Sequence, residues 1–226
     1  MRALEASLRR RFRVVETDVE IGGRTLSLLH PASAEELINE EDFDRDERLP
    51  YWAELWPSAR VLATQVAAME GRGRRLVELG CGSGLVSTSA VLAGFDVTAT
   101  DYYEDATRFA RVNAWRNAAV EIQGVMVDWR SMPEELGTFD VVLASDVLYE
   151  RPYGALVADA IAQVLSDDGF AVVADPGRVG REPFIEALAG QGLRIRSQYD
   201  VAFVDGPIRQ TITCIEVIQD RDAAHR

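Results

Sequence analysis

The chain has 226 residues and a formal net charge of −13, with 37 acidic residues against 24 basic ones. This length fills one α/β domain, and no linker-like segment argues for a second independent domain. The acidic balance argues against a nucleic-acid partner, because binding to phosphates requires a broad basic surface. The four arginines between residues 9 and 13 are therefore interpreted as a solvated helix end and not as a nucleic-acid arm.

The sequence also lacks the signals of export and of membrane insertion. It contains no run of about 18 apolar residues, and residues 1–13 lack the apolar core of a secretory signal. Cys81 and Cys214 are the only cysteines, which predicts neither a structural disulfide nor a metal site, and a reducing cytoplasm fits. All 24 basic residues are arginine, and because arginine stays protonated, none of them can serve as a proton acceptor.

The N-terminal part of the chain predicts a small appendage. Residues 4–11 favour a helix, and residues 12–21 and 25–29 favour two strands joined by Gly22-Gly23 as a hairpin turn. We interpret this hairpin as a lid on the edge of a sheet, with part of a substrate platform as the alternative. The acidic run at residues 40–47 is typical of a solvated surface, and next to an active site it would also attract a basic substrate.

Residues 50–57 read P-Y-W-A-E-L-W-P and hold three aromatic residues and an acid between two prolines. Pro57 suits the first turn of a helix, and apolar residues at 59, 62, 63, 66 and 69 continue that helix. Aromatic ring faces attract a sulfonium or ammonium group by about 0.5–2 kcal/mol each. Tyr51, Trp52 and Trp56 therefore predict an active-site entrance, with core packing as the alternative.

Residues 75–84 form the segment around which the rest is organised. A strand at 75–79 carries Glu78, glycines follow at positions 80, 82 and 84, and a helical pattern begins at Leu85. Glycines in such a loop permit positive φ and let backbone N–H groups approach a ligand at the helix N-terminus. The next strand, 95–100, is followed by Asp101, which suits a ribose-hydroxyl acceptor. The spacing differs from G-x-G-x-x-G, and Glu78 would disfavour a pyrophosphate while tolerating a cationic nucleoside.

Five further strands and their loops complete the predicted α/β sheet. A helix at 104–117 precedes a strand at 120–127, and a buried strand at 139–144 follows. A helix after Pro152, a strand at 170–174, a helix at 182–189 and a hairpin of strands 193–204 and 208–218 come next. Because the carboxyl ends of parallel strands share one edge of a sheet, Asp146 and Tyr149 are expected in the same crevice as Gly82. We predict two parts, residues 1–56 and 57–226, in one compact unit.

Taken together, these motifs resemble class I S-adenosylmethionine-dependent methyltransferases. E-x-G-x-G-x-G at residues 78–84 is similar to their first motif, and Asp101 matches their ribose-binding acid. Three further motifs resemble those of the seven-β-strand lysine methyltransferases (family 16), including the electron-transfer-flavoprotein type, and those of bacterial nicotinamide N-methyltransferase-like proteins. They are P-Y-W-x-x-x-W-P at 50–57, D-x-x-Y at 146–149 and D-P-G-R at 175–178.

The resemblance implies a Rossmann-like, seven-stranded, mostly parallel sheet with a C-terminal antiparallel hairpin. It implies S-adenosylmethionine as the cofactor, with Asp128 accepting from the adenine amine and Trp129 covering the ring. The residues expected to contact the cofactor are Trp52, Trp56, Glu78, Gly80, Gly82, Gly84, Asp101, Tyr102, Asp128, Trp129 and Ser145. The expected catalytic residues are Asp146, to hold the acceptor ammonium, and Tyr149, to orient the amine.

The resulting functional hypothesis is an N-methyltransferase acting on a protein lysine. A small-molecule amine or pyridine, nicotinamide included, is the first alternative, and a non-catalytic nucleoside-binding scaffold is a weaker one. The glycine spacing disfavours a nicotinamide-dinucleotide dehydrogenase. Residues 145–148 read S-D-V-L where adenine and glutamine methyltransferases carry N-P-P-Y or D-P-P-Y, which disfavours those acceptors. The sequence makes no prediction about the oligomeric state.

Overall fold

The computed structural model describes residues 1–37 and 50–221. Its helices are α1 (Arg2–Arg11), α2 (Pro57–Ala67), α3 (Leu85–Leu92), α4 (Glu104–Ala118), α5 (Tyr153–Val164) and α6 (Arg181–Leu188). Its strands are β1 (Val14–Ile21), β2 (Arg24–Pro31), β3 (Arg75–Leu79), β4 (Asp96–Asp101), β5 (Gln123–Met126), β6 (Phe139–Ser145), β7 (Leu165–Asp175), β8 (Leu193–Asp205) and β9 (Ile208–Gln219).

Seven of the strands form one sheet in the order β5-β4-β3-β6-β7-β9-β8. The pairs from β5 to β7 are parallel, while β9 pairs antiparallel with both β7 and β8. The strand order reverses direction between β3 and β6, which is the position where open α/β sheets bind ligands at the carboxyl ends of their strands. The predicted fold, including the C-terminal antiparallel hairpin, is confirmed.

The central strands are buried on both faces, and this explains their continuous apolar runs. On β3, Leu76 belongs to the core that is shared with α2, α3 and α4. Val77 and Leu79 point the other way, into the core shared with α5 and α6. This alternation follows from the period of two along a strand and encloses the sheet between two helical layers.

The N-terminal hairpin does not extend the edge of the large sheet, contrary to the lid interpretation. β1 and β2 form a separate two-stranded sheet that contacts α2 and α4. The fully buried Asn113 of α4 accepts a hydrogen bond from Leu29 N (2.8 Å) and donates to Leu29 O (2.8 Å). The appendage therefore packs on the helical layer, and the division at residues 56/57 stays a prediction.

Two strands differ in extent from their predicted ranges. β5 is shorter than the predicted 120–127, because residues 120–122 lie outside the ladder with β4. β7 is longer than the predicted 170–174, and its register with β6 shifts between the pairs Phe139/Leu165 and Val141/Phe170. Residues 166–169 therefore interrupt the pairing with β6 as an irregularity inside a longer strand.

The N-terminal arginines form intramolecular ion pairs: Arg9 with Glu5 and Glu16, Arg11 with Asp105, and Arg13 with Glu36. Their charges are thus partly balanced within the protein. The acidic run at residues 40–47 lies outside the described residues. Among the residues that are described, no helix is long and apolar enough to cross a membrane.

Candidate functional site

A cleft lies at the carboxyl ends of β3, β4 and β6, with an empty volume of about 990 Å³ that includes the solvent at its mouth. All of the sequence-predicted site residues line it. They are Trp52, Trp56, Glu78, Gly80, Gly82, Gly84, Asp101, Tyr102, Asp128, Trp129, Ser145, Asp146 and Tyr149. The sheet thus brings together residues that are up to about 100 positions apart in sequence, because parallel strands place their carboxyl ends side by side.

The glycine loop between β3 and α3 is shaped by close packing as well as by its backbone conformation. Gly80, Gly82 and Gly84 have φ of 72°, 50° and 82°, a region that side chains disfavour. A Cβ on Gly84 would lie 2.4 Å from the Cα of Ala110, and one on Gly80 would lie 2.9 Å from Val147 Cγ1. Glycine is therefore required both by the loop conformation and by the space around it.

Asp101, at the end of β4, is hydrogen-bonded to the glycine loop. Its Oδ2 accepts a hydrogen bond from Gly82 N (3.0 Å), and its Oδ1 accepts one from Tyr103 N (3.0 Å). Burial raises the pKa of the Asp101 carboxyl to about 6, although these N–H donors lower it. A carboxylate has about four acceptor sites, so Asp101 keeps capacity to accept from the vicinal hydroxyls that a ribose presents.

Glu78 lies behind the same loop and supports the start of α3. Its Oε2 accepts hydrogen bonds from Ser87 N (2.8 Å) and Ser87 Oγ (2.5 Å). Ser87 is the third residue of α3, whose N–H has no partner within the helix, so the carboxylate caps the helix from inside the protein. Burial raises the pKa of Glu78 to about 8. A cationic group in the cleft would favour the ionised carboxylate.

Asp128 and Trp129 follow β5 at the side of the cleft where the adenine is expected. Asp128 pairs with Arg130, whose Nη2 lies 2.6 Å from Asp128 Oδ2. The Arg130 guanidinium also lies over the Tyr102 ring, with Cζ 6.0 Å from the centroid. The indole Nε1 of Trp129 is buried and has no hydrogen-bond partner among the described residues. This end of the cleft offers two aromatic surfaces, a carboxylate and an indole donor.

Asp146 lies at the end of β6 with φ of 57°, a left-handed conformation that aspartate tolerates better than most residues. Its Oδ1 accepts from Arg178 Nε (2.6 Å), and its Oδ2 accepts from Ser58 Oγ (3.0 Å). The carboxylate was expected as a counter-ion for an incoming ammonium. It is not an isolated negative charge, because Arg178 already shares it.

Aromatic rings surround the cleft next to Asp146. Tyr51 packs edge-on against Tyr149, with centroids 5.2 Å apart, and against Trp56 at 6.1 Å. Tyr149 in turn contacts Tyr153 at 4.8 Å. The Arg178 guanidinium lies over the Trp56 ring, 5.3 Å from the centroid. This cluster provides ring faces on which a cation or an alkyl chain can pack.

Trp52 differs from Trp56, although both were expected at the entrance. The residue is 9% exposed, and its ring packs against Phe12, Tyr103 and Phe109, with the Phe109 centroid at 5.7 Å. Its carbonyl lies 3.0 Å from where a Cβ on Gly82 would stand. Trp52 therefore lines the cleft while anchoring the N-terminal cluster, so the two interpretations of this motif apply together.

Four further residues contribute to the cleft or support it, and the sequence reasoning did not assign roles to them: Ser58, Arg130, Tyr153 and Arg178. Arg178 belongs to the D-P-G-R segment after β7, and β7 is the neighbour of β6 in the sheet. A polar motif at the end of an adjacent strand was the available signal for that residue. Ser58 and Tyr153 carry no such signal, because each lies in the first turns of an ordinary amphipathic helix.

The described ranges, 1–37 and 50–221, contain no group of three or more His, Cys, Asp or Glu side chains placed to hold a metal ion. The donors around the cleft suit an organic ligand instead. A buried acid can take two hydroxyls, a cleft of this volume has aromatic walls, and a second buried acid suits a positive charge.

Comparisons with known proteins agree with this arrangement. A family model described as "Methyltransferase domain" matches residues 48–202, well over half of the chain. The chain is 31% identical to the ubiquinone biosynthesis O-methyltransferase of Bordetella pertussis over 124 residues, which cover 52% of this chain and 48% of that protein. It is 33% identical to the protein N-lysine methyltransferase METTL21A of Danio rerio over 144 residues, which cover 58% of this chain and 66% of that one.

The chain thus matches about half the length of the Bordetella relative and slightly less than two thirds of the Danio relative. Among solved structures, the magnesium protoporphyrin IX methyltransferase of Synechocystis PCC 6803, crystallised with bound S-adenosylmethionine, superposes with a TM-score of 0.58 and 17% identity. That superposition covers 81% of this chain and 94% of the other. At this identity the likeness concerns the fold.

Proposed function

The chain belongs to the methyltransferase-domain family and is a class I S-adenosylmethionine-dependent methyltransferase, and we propose that its methyl acceptor is the side-chain nitrogen of a protein lysine. The observation that carries the proposal is the site around Asp146. A buried carboxylate there stands at the base of a cluster of aromatic rings, Tyr51, Trp56 and Tyr149. Such a site accepts a long alkyl chain that ends in an amine.

The residues of the cleft fit the donor. Asp101 would accept from the ribose hydroxyls, Asp128 and Trp129 would hold the adenine, and the loop backbone at residues 80–84 would border the amino-acid part. The buried Nε1 of Trp129, which lacks a partner within residues 1–37 and 50–221, fits a polar ligand atom at this end. Glu78 places a carboxylate on the side where a cationic group gains from it. These contacts are proposals that rest on position and chemistry.

S-adenosylmethionine supplies a methyl group on a sulfonium, and transfer leaves the S–C electron pair on sulfur while the amine lone pair forms the N–C bond. The acceptor must therefore be a neutral amine when it reacts. Deprotonating a lysine near pH 7 costs about 4–5 kcal/mol, given a reference pKa of about 10.4. No arginine can accept the proton, which leaves a carboxylate, a tyrosine or water, and we propose water as the acceptor while Asp146 holds the amine.

We assign the two residues after β6 complementary roles. Asp146 receives the acceptor at the base of the cleft, and Tyr149 orients the amine lone pair toward the donor, which is the positioning that a one-step transfer requires. Their placement on one rigid strand end, with Asp146 held by Ser58 and Arg178, suits that task. Lysine methyltransferases among the relatives support lysine as the acceptor.

The test is labelling of a dialysed cell extract with methyl-tritiated S-adenosylmethionine. We expect label in protein, identified by mass spectrometry as methyl-lysine, and no label when the lysines of the extract have first been acetylated. Because the chain itself contains no lysine, labelling of the enzyme's own lysines cannot contribute to the signal. Asp101→Asn should abolish most of the label by weakening cofactor binding.

A small-molecule acceptor is the competing function, since an O-methyltransferase of ubiquinone biosynthesis also stands among the relatives. The same experiment separates the two. If the acceptor is a small molecule, adding the low-molecular-weight fraction back to the dialysed extract produces label only in small products. That outcome would replace the lysine proposal.

A further inference from the structure

A short ion pair joins Asp146 to Arg178, a residue that does not itself line the cleft. Arg178 Nε lies 2.6 Å from Asp146 Oδ1, and the Asp146 side chain is 3% exposed while that of Arg178 is 34% exposed. The remaining oxygen, Oδ2, is taken by the hydroxyl of Ser58. An arginine–carboxylate contact of this length is a charge-assisted hydrogen bond, and burial of the acid strengthens it.

Arg178 is held in place independently of Asp146. Its backbone N–H donates to Asp175 Oδ2 (3.0 Å), as does that of Gly177 (2.7 Å). Asp175 is fully buried at the end of β7 and lies next to β6 in the sheet. On its outer side, the Arg178 guanidinium rests over the Trp56 ring. The guanidinium is thus fixed between a strand end and an aromatic wall of the cleft.

This pairing changes what the cleft offers to an amine. An unpaired carboxylate would favour the ammonium form of a bound lysine and so oppose formation of the nucleophile. A carboxylate paired with a guanidinium has no net charge and can still accept a hydrogen bond. We propose that Arg178 is a positioning residue that offsets the negative charge of Asp146, so that the cleft receives the acceptor lysine as its neutral amine. This inference rests on the proposed function and adds to it the means by which the amine is kept neutral.

Other charged and titratable groups near Asp146 come from every neighbouring element. Tyr149 stands on its own segment, Asp175 ends β7 and Arg181 follows it, and Tyr51 and Glu54 belong to the segment before α2. Across the cleft lie Glu78 and Asp101. Of the described side chains, Arg178 alone is shown in an ion pair with Asp146, and so its removal is the change that exposes the Asp146 charge.

The kinetic test uses Arg178→Gln and the acceptor protein identified by the labelling experiment. The dependence of kcat on pH reports ionisation within the enzyme–substrate complex. The limb of interest is the rising one, on which the bound amine loses its proton. With the Asp146 charge exposed, we expect this limb to move up by about one pH unit. At pH 7.5, kcat and KM should then fall together by about tenfold. Adding Asp146→Asn to this variant should return the limb to its wild-type position.

Three further variants test whether Arg178→Gln acts through lost packing and not through lost charge. Arg178→Met keeps the packing on Trp56 without the charge and should behave like Arg178→Gln. Arg178→Lys keeps the charge and should keep the wild-type limb. Arg75→Gln removes a guanidinium from over the Phe139 ring at the opposite edge of the sheet and should leave the profile unchanged. An Arg178→Gln profile that keeps the wild-type limb, or that combines a lower kcat with a raised KM, overturns the proposal.

A binding measurement separates this inference from the proposed function. n-Butylammonium reproduces the end of a lysine side chain and is titrated by NMR into the complex with S-adenosylhomocysteine at pH 7.5. We expect Arg178→Gln to bind it about tenfold more tightly than the wild type and the double variant to lose that gain. Equal affinities overturn the role of Arg178, whatever the acceptor is. Absence of labelled lysine in the extract overturns the proposed function, and the titration then still decides what Arg178 does.

Discussion

Among the described residues, three buried carboxylates line the cleft, and each is stabilised in a different way. Asp101 accepts two backbone N–H groups, Glu78 accepts the N–H and hydroxyl of Ser87, and Asp146 accepts from a guanidinium and a hydroxyl. Burial raises the pKa of Asp101 to about 6 and that of Glu78 to about 8. Acids with such values change their charge within the working range of an enzyme, so ligand binding in this cleft should depend on pH.

Binding of S-adenosylhomocysteine should weaken as the pH falls through about 6. The ionised Asp101 accepts from two hydroxyls of the ligand, and these donors lower the pKa of Asp101 in the complex. The affinity for S-adenosylhomocysteine therefore rises with pH up to the pKa of Asp101 in the free protein and is lost below it. Calorimetric titrations between pH 5 and pH 8 measure this dependence.

Asp101→Asn should lower the affinity at pH 8 at least tenfold, since a hydrogen bond to a charged acceptor contributes about 1.5–3 kcal/mol, and it should remove the step near pH 6. Asp105→Asn, which alters an acid paired with Arg11 outside the cleft, serves as the control and should bind normally. An unchanged affinity of Asp101→Asn would contradict the ribose assignment.

At the scale of elements, α4 connects the N-terminal hairpin to the glycine loop. Ala110 on this helix lies against Gly84, and Asn113 donates to Ser83 O (2.8 Å) as well as to β2. The segment at residues 51–56 packs on the same region through Trp52. The cofactor loop is therefore supported by elements that precede the sheet in sequence.

Asn113→Ala should lower both stability and cofactor affinity. The change leaves Leu29 N, Leu29 O and Ser83 O without partners in the interior, and an unsatisfied buried group costs about 1–3 kcal/mol. We expect a loss of at least about 2 kcal/mol in denaturant unfolding, with weaker binding of S-adenosylhomocysteine. Asn117→Ala is the matched control. It loses similar bonds to Ser27 but none to the glycine loop, so its affinity should stay normal.

Substitutions of the two tryptophans in the motif before α2 should have different effects on stability and on methyl transfer. Trp52→Ala removes a buried ring from the N-terminal cluster and should cost about 3–5 kcal/mol of unfolding free energy. Trp56→Ala removes a half-buried ring from the cleft wall and should affect melting little while lowering methyl transfer per folded molecule. Thermal melts and transfer rates on the same preparations test this pair. A stable Trp52→Ala with impaired transfer would restore the entrance role for both.

At the scale of the whole molecule, acidic residues outnumber basic ones and give a net charge of −13. The N-terminal arginines Arg9 and Arg11 are engaged in ion pairs with acids of α1, α4 and β1. An acidic enzyme attracts a basic protein substrate over distances of about the Debye length, which is about 10 Å at 0.1 M salt. Such an attraction suits an acceptor that is a lysine within a basic segment.

Methylation of a protein acceptor should therefore be sensitive to salt. Raising the ionic strength from about 0.05 M to 0.5 M screens the attraction, and we expect kcat/KM to fall several-fold through its association component. Binding of S-adenosylhomocysteine, measured under both conditions, should change little because its contacts lie within the cleft. A turnover that does not depend on salt would argue for a small, uncharged acceptor.

The sequence by itself determined the sheet, its glycine loop and the strand ends that carry the acids. Local patterns encode these features: the apolar runs of β3 and β6, the glycines at 80, 82 and 84, and polar residues placed directly after strands. It also placed Asp101, Asp146 and Tyr149 at one edge, because parallel strands leave no other arrangement. The fold prediction is confirmed, whereas the roles of these residues stay predictions.

Only the tertiary structure decided which groups pair with one another. The contact between Asp146 and Arg178 joins the ends of two neighbouring strands 32 positions apart, and no local pattern states that the two side chains meet. Trp52 and Trp56 look equivalent in the motif, yet one is buried by Phe12 and Phe109 from distant elements. Likewise, the N-terminal hairpin packs on α4 through Asn113 and not on the sheet edge. Burial, charge pairing and docking depend on surfaces that exist only once the chain has folded, and a pattern read along the chain does not contain them.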